Sequence, residues 1–143
     1  MKYLALAALL AAPATAAPLC DDLGFAGLLA SCNRGDPIAL TLASGSPLAE
    51  GPVTLQSGAY YEIEITADGS AELALVGPEF FRAIWMNEIV INDIEVRPMA
   101  IDSFEFDDEG EATLSFIAIK PGTYTLLIPG STGESQRVNI TIQ

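Results

Sequence analysis

From Pro37 onward, apolar and polar residues alternate with a period of two, and Gly, Pro, Asp and Asn cut the alternation into short runs. That pattern predicts antiparallel strands joined by tight turns. Residues 59–66 (AYYEIEIT) set Tyr61, Ile63 and Ile65 against Glu62, Glu64 and Thr66, giving one apolar and one wet face. Ala67-Asp68-Gly69-Ser70 then turns the chain into a strand at 71–76. Residues 103–119 (SFEFDDEGEATLSFIAI) predict a hairpin with 107–110 at its tip, where Gly110 would supply a positive φ. Lys120-Pro121-Gly122 is the next turn, 124–128 the next strand, and RVNITI at 137–142 the last. Further strands are expected at 38–43, 52–56, 80–86 and 88–96, about eight or nine in all. The fold class that follows is all-β, a two-sheet Greek-key β-sandwich.

Before Pro37 the pattern changes twice. Met1-Lys2, the apolar run 3–12 (YLALAALLAA) and PATAA, with Ala14 and Ala16 in small-x-small spacing, match a secretory leader. Residues 1–16 are therefore expected to be a cleaved signal peptide; the run is shorter than the roughly 20 residues a membrane span needs. Cys20 follows Ala17-Pro18-Leu19 and lacks the small residues that would precede a lipidated cysteine. No later stretch is long and apolar enough for membrane insertion. The expected location is periplasmic or secreted. In that oxidising setting Cys20 and Cys32, the two cysteines of the chain, are expected to form a disulfide closing the segment 17–36. A pair of metal-binding thiolates is the alternative. Within the segment, 21–31 (DDLGFAGLLAS) is either a short helix or an irregular lid. Residues 37–143 are expected to form one sandwich domain, with no repeat or linker to mark a second.

The formal net charge of −13 disfavours nucleic acid and anionic lipid as partners. It leaves open a basic protein, a cation, or solubility alone. The chain has no histidine. That composition excludes Ser-His and Cys-His nucleophilic catalysis, haem ligation by histidine and the common zinc sites.

The run PGTYTLLIPGSTGESQ at 121–136 resembles the C-terminal metal loop of the cupredoxins, the blue-copper family. Pro121, Gly122 and Tyr124 match the family's turn, and RVNITI at 137–142 falls where its closing strand lies. The stretch YYEIEI…PEFFRAIW is also similar to small periplasmic cupredoxin-like proteins. The resemblance implies a cupredoxin-like sandwich over roughly 37–143. The family's cysteine, histidine and methionine ligands would fall on Ile128, Ser131 and Gln136, none of which can do their work. A blue-copper centre needs a thiolate and two imidazoles. No cofactor is therefore expected.

Among the remaining chemistry, Glu62 and Glu64 share a strand face, as would Glu105 and Asp107. Such pairs could hold a cation or act as acid and base, but beside Ile63 and Ile65 the first pair is expected to be a solvated face. Asp107-Asp108-Glu109-Gly110-Glu111 lacks the spacing of a calcium loop and is expected to be a turn. Met86 and Met99 are soft ligands in principle and core filling by default. GSTGES at 130–135 lacks a P-loop lysine. PEFFRAIWM at 78–86 is the unusual stretch: neither side is cleanly polar. Glu79, Arg82 and Trp85 are the candidate partner-binding residues, against an interior strand with Arg82 neutralised by Glu79 or Glu95. The expected function is a non-enzymatic, exported binding or accessory module, its partner an unidentified periplasmic or envelope protein. The alternative is a copper or iron carrier using carboxylates and thioethers.

Overall fold

The computed structural model describes residues 18–143; the leader expected at 1–16 lies outside the described residues. Ten strands form two five-stranded sheets. The first has the order β1 (Ile38–Leu42), β3 (Tyr60–Ala67), β8 (Gly110–Ala118), β5 (Ile84–Ile91), β6 (Ile94–Val96). The second has the order β2 (Val53–Leu55), β10 (Arg137–Ile142), β9 (Gly122–Leu127), β4 (Leu73–Val76), β7 (Ser103–Phe106). Alternation places Leu40, Ile63, Ile65, Leu114 and Phe116 on the inner face of one sheet and Leu75, Leu126 and Ile140 on the inner face of the other, all essentially inaccessible. Each such side chain stabilises the fold by roughly 1.5–3 kcal/mol before entropy is counted. The all-β, two-sheet expectation is met. The sheets are mixed rather than purely antiparallel, because β1 runs parallel to β3 and β2 parallel to β10.

Three local expectations are overturned. The predicted hairpin at 103–119 does not exist: β7 pairs with β4 in one sheet, while β8 pairs with β3 and β5 in the other. Both strands alternate because each faces the same core, Phe104 and Phe106 from one side and Leu114 and Phe116 from the other. Alternation cannot say which neighbour a strand pairs with. Gly110 does not take the left-handed conformation; a Cβ there would approach the Phe106 ring to 3.3 Å. The strand predicted at 80–86 begins only at Ile84, because Pro78–Phe81 forms a helical turn, α1. Proline suits the first helical position, and the turn buries both Phe80 and Phe81 where a strand would split them across two faces. The single strand expected at 88–96 is two strands, β5 and β6, joined by Asn92-Asp93 with both φ values positive (48° and 64°). Those values fit the two-residue hairpin turn that matches strand twist.

The connections collect at two ends. One end carries the 18–37 segment, the β2–β3 turn, α1, the β6–β7 connection and the β8–β9 turn. The opposite end carries the β1–β2, β3–β4, β5–β6, β7–β8 and β9–β10 connections. The charge divides the same way. The five connections at the second end contain Asp and Glu but no Lys or Arg, whereas Arg34, Arg82, Arg97 and Lys120 all lie in the connections at the first.

Candidate functional site

Cys20 and Cys32 are joined in a disulfide with Cα atoms 5.8 Å apart, as expected. The segment between them is neither a regular helix nor a plain lid but two short 3₁₀ turns, Gly24–Leu29 and Ser31–Asn33. The first buries none of its residues. The anchor is Asn33, fully buried: its Oδ1 accepts from the Leu19 N–H (2.8 Å), and its Nδ2 donates to the carbonyls of Leu28 and Gly58 (2.9 Å each). One side-chain amide thus closes the segment on itself and ties it to the β2–β3 turn.

At the opposite end lies the loop that resembles a metal site. Ile128, at the position of the family's cysteine, is 3% exposed and belongs to the hydrophobic core. Its N–H donates to the Gln136 carbonyl (3.0 Å). Gln136, at the methionine position, is itself buried, and its Nε2 donates to the Ser46 carbonyl. Beside it the Leu48 N–H donates to the Ser135 carbonyl (2.7 Å). Ser131, at the histidine position, is half-buried. The loop is held to the β1–β2 connection through backbone and amide hydrogen bonds. These residues do not fit a blue-copper ion: the sequence has no imidazole, and its thiols are paired in a disulfide at the other end.

Glu79, Arg82 and Trp85 are all exposed, Trp85 to 49%. Glu79 lies within α1, Arg82 follows it, and its N–H donates to the Pro78 carbonyl (3.1 Å). Trp85 lies on the outer face of β5, opposite Ile117 of β8. β5 is an interior strand of its sheet, between β8 and β6, but the Trp85 side chain is not covered. Among the described residues neither Glu79 nor Glu95 pairs with Arg82; Glu95 instead holds Arg97 (2.8 Å), which also meets Glu88 (3.1 Å). Outer-face Ile117 and Ser115 are nonetheless buried, with Tyr60 and Trp85 flanking Ile117 across the sheet. Arg34 lies over the Tyr60 ring at 4.4 Å and meets Glu62 at 3.6 Å. Burial raises the Tyr60 phenol above its ordinary pKa.

The carboxylates behave in two ways. Glu64 is exposed, as the wet-face reading requires. Glu105 and Asp107 are joined by Glu72, which no sequence motif marks: one carboxylate oxygen from each lies within 4.8 Å of the others, all three exposed. The β4–β7 pairing, which sets Ala74 opposite Glu105, brings them together. The hydrogen bond to Glu105 and its negative charge push the Glu72 carboxyl above its ordinary pKa. Asp68 is shifted the other way, lowered by hydrogen bonds from Ser70. Met86 packs against the core, and Met99 is fully exposed in the β6–β7 connection. A cleft of about 790 Å³ runs along the outer edges of β1 and β2. Pro37 offers no N–H there, and the Thr41 N–H already donates to Leu48 (2.9 Å), so little of the β1 edge is open to another strand.

No helix among the described residues is long and apolar enough to cross a membrane. No protein-family model matches the chain, and no curated protein matches it. Solved structures do. The chain is similar to a blue copper oxidase from Nitrosomonas europaea (9% identity, TM-score 0.55), covering 74% of this chain and 43% of that one. It is similar to a multi-copper oxidase from Pseudomonas thermotolerans (12% identity, TM-score 0.56, 76% and 29% covered). It is also similar to the copper nitrite reductase of Nitrosomonas europaea (17% identity, TM-score 0.51, 66% and 33% covered). The chain spans less than half the length of each of these enzymes. At such identities the likeness concerns architecture alone: the fold is that of a cupredoxin-like β-sandwich.

Proposed function

We propose that the chain is an exported, non-catalytic binding module, an accessory to an envelope or metal-handling system, on a cupredoxin-like frame without a type 1 copper centre. The observation that carries this reading is the buried Gln136 amide bonded to Ser46, with Ile128 in the core. It means that the loop is closed by its own hydrogen bonds and needs no ion to order it. The absence of histidine supports the same reading and leaves no nucleophile–base pair of the Ser-His type. The exposed triplet Glu79, Arg82 and Trp85 supplies the contact surface such a module needs. The test is to add one equivalent of Cu(II) to the purified chain, dialyse it, and record metal content and visible absorption. Retained copper with intense thiolate-to-copper absorption would refute the reading; a colourless, copper-free protein with an unchanged melting temperature supports it.

A second reading is favoured by the Glu72, Glu105 and Asp107 cluster: a carrier that takes a hard cation through carboxylates. Calorimetric titration with Ca²⁺ and Mn²⁺, compared with Glu105→Gln, decides it. Stoichiometric binding lost in the variant supports the carrier, and no heat in either protein refutes it.

A further inference from the structure

The exposed large apolar side chains are unevenly placed. Apart from a few on the β5–β6 hairpin, they sit at the end that carries the disulfide segment: Phe25 and Met99 are fully exposed, and Leu28 (37%), Leu29 (42%), Trp85 (49%) and Ile119 (48%) are partly so. Side-chain and backbone hydrogen bonds hold several of the carrying elements together. Asn33 joins Leu28 to Gly58, the Ser57 hydroxyl donates to the Ile119 carbonyl (2.8 Å), and the Ile119 N–H donates to Ala83 (3.1 Å), two residues before Trp85. The surface is therefore preformed. Its charges are of two kinds. Asp21 and Asp22, both exposed, stand on the loop that presents Phe25. Arg82 and Lys120 stand beside Trp85 and Ile119, linked through Ala83, whose carbonyl accepts from the Lys120 N–H (2.9 Å). Among the described residues these two are the cations without a carboxylate within ion-pair distance, since Arg34, Arg97 and Arg137 all have one.

We propose that this end is the interface of a symmetric dimer, its occupant a second copy of the same chain. This rests on the reading of Glu79, Arg82 and Trp85 as a contact surface and names what contacts it. One end carries both halves of a complementary pair: acidic residues on an apolar loop, and unpaired cations flanking an exposed tryptophan. A twofold axis through that end sets Asp21 and Asp22 of each copy toward Arg82 and Lys120 of the other around a shared apolar centre. The same axis deals with the net charge of −13. The acidic connections are carried at the far ends of the strands, and a nine-residue strand such as β8 spans roughly 30 Å. The two acidic ends then lie well beyond the screening length of roughly 8 Å at physiological salt. Other occupants fit less well. A basic protein would be drawn to the acidic end instead, and an anionic membrane finds no cationic excess here to attract it.

The test uses the purified chain and its single tryptophan. Sedimentation velocity from about 1 µM to about 500 µM, a range that brackets micromolar dissociation constants, is expected to show a monomer–dimer equilibrium. A blue shift of Trp85 emission should follow the same concentration dependence. Phe25→Asp, at a fully exposed position that the fold does not need, is expected to weaken the dimer by about 30-fold or more with no loss of melting temperature. The charge exchange is the discriminating arm. Asp21→Lys with Asp22→Lys in one variant, and Arg82→Glu with Lys120→Glu in another, should each be monomeric alone and form a heterodimer when mixed. A chain that stays monomeric across the range overturns the proposal, as does a dimer indifferent to all these changes. So does a monomer that floats with vesicles of phosphatidylcholine and phosphatidylglycerol through Phe25. None of these outcomes bears on copper, so failure here and failure of the proposed function are separable.

Discussion

Replacing Asn33 by alanine tests whether the disulfide segment is an appendage or part of the cooperative fold. The substitution deletes three hydrogen bonds, from Leu19 N–H and to the carbonyls of Leu28 and Gly58. At about 1 kcal/mol net for each, the loss comes to about 3 kcal/mol. Little else holds the segment down, because its first 3₁₀ turn buries no residue. Of the segment's apolar residues only Ala30, a small one, is buried. The loss should therefore appear as local opening within a loop still closed by Cys20–Cys32. Hydrogen–deuterium exchange of peptides covering 19–33 is expected to quicken by about 100-fold, the rate equivalent of nearly 3 kcal/mol. The transition of the sandwich itself in urea should shift by less than about 0.5 kcal/mol, because the segment opens before the sandwich unfolds. If Asn33→Ala instead lowers global stability by the whole amount, with no separate early opening, the segment is integral to the fold and the reasoning fails.

Phe80 is fully buried and packs edge-on against Phe81, Phe116 and Tyr124; Phe80→Ala should cost about 3–5 kcal/mol in urea unfolding, and a loss under 1 kcal/mol would mean that α1 is not a core element. Gly69 has φ +70°, and a Cβ there would lie 2.8 Å from Asp108 Oδ1 and 2.9 Å from the Glu109 nitrogen; Gly69→Ala should destabilise by more than about 1 kcal/mol, whereas a neutral result would show that the β3–β4 turn relaxes freely. Glu72 is shifted upward by Glu105, so the folded chain holds that proton more readily than the unfolded chain. Its contribution to stability is present at low pH and lost as the pH rises through the folded value. Glu105→Gln should consequently raise the melting temperature slightly at pH 7, with the gain fading below about pH 4; a gain that persists in acid would point to a different cause.

Much of this architecture could be read from alternation alone. AYYEIEIT is β3 with Ile63 and Ile65 inside and Glu64 outside, and the closing strand at 137–142 is where the turn chemistry puts it. What alternation leaves out is partnership. Residues 103–106 and 110–118 carry the same pattern as a hairpin, yet they belong to different sheets, because a residue facing a shared core is apolar from either side. PEFF was misjudged for a related reason: two adjacent buried phenylalanines break period two, and the helical turn that accommodates them is only four residues long. Of the candidate site, the Cys20–Cys32 disulfide was accessible to sequence reasoning, whereas alternation left Trp85 open between a contact face and an interior strand. Glu72 was not, since only strand pairing brings it to Glu105 and Asp107. Phe25, Leu28, Leu29 and Ile119 were also missed. Hydrophobic residues are expected to be inside, and no local signal marks those left out.

The parallel pairing of β2 with β10 has a temporal consequence. Val53–Leu55 finds its neighbour only in 137–142, and the bonds from Gln143 to Leu55 and from Ser57 to Gln143 seal the same seam. A nascent polypeptide that has emerged only as far as β9 leaves that sheet without β10 and β2 without any hydrogen-bonded neighbour. Completion of that sheet therefore waits until residues 137–142 have been made.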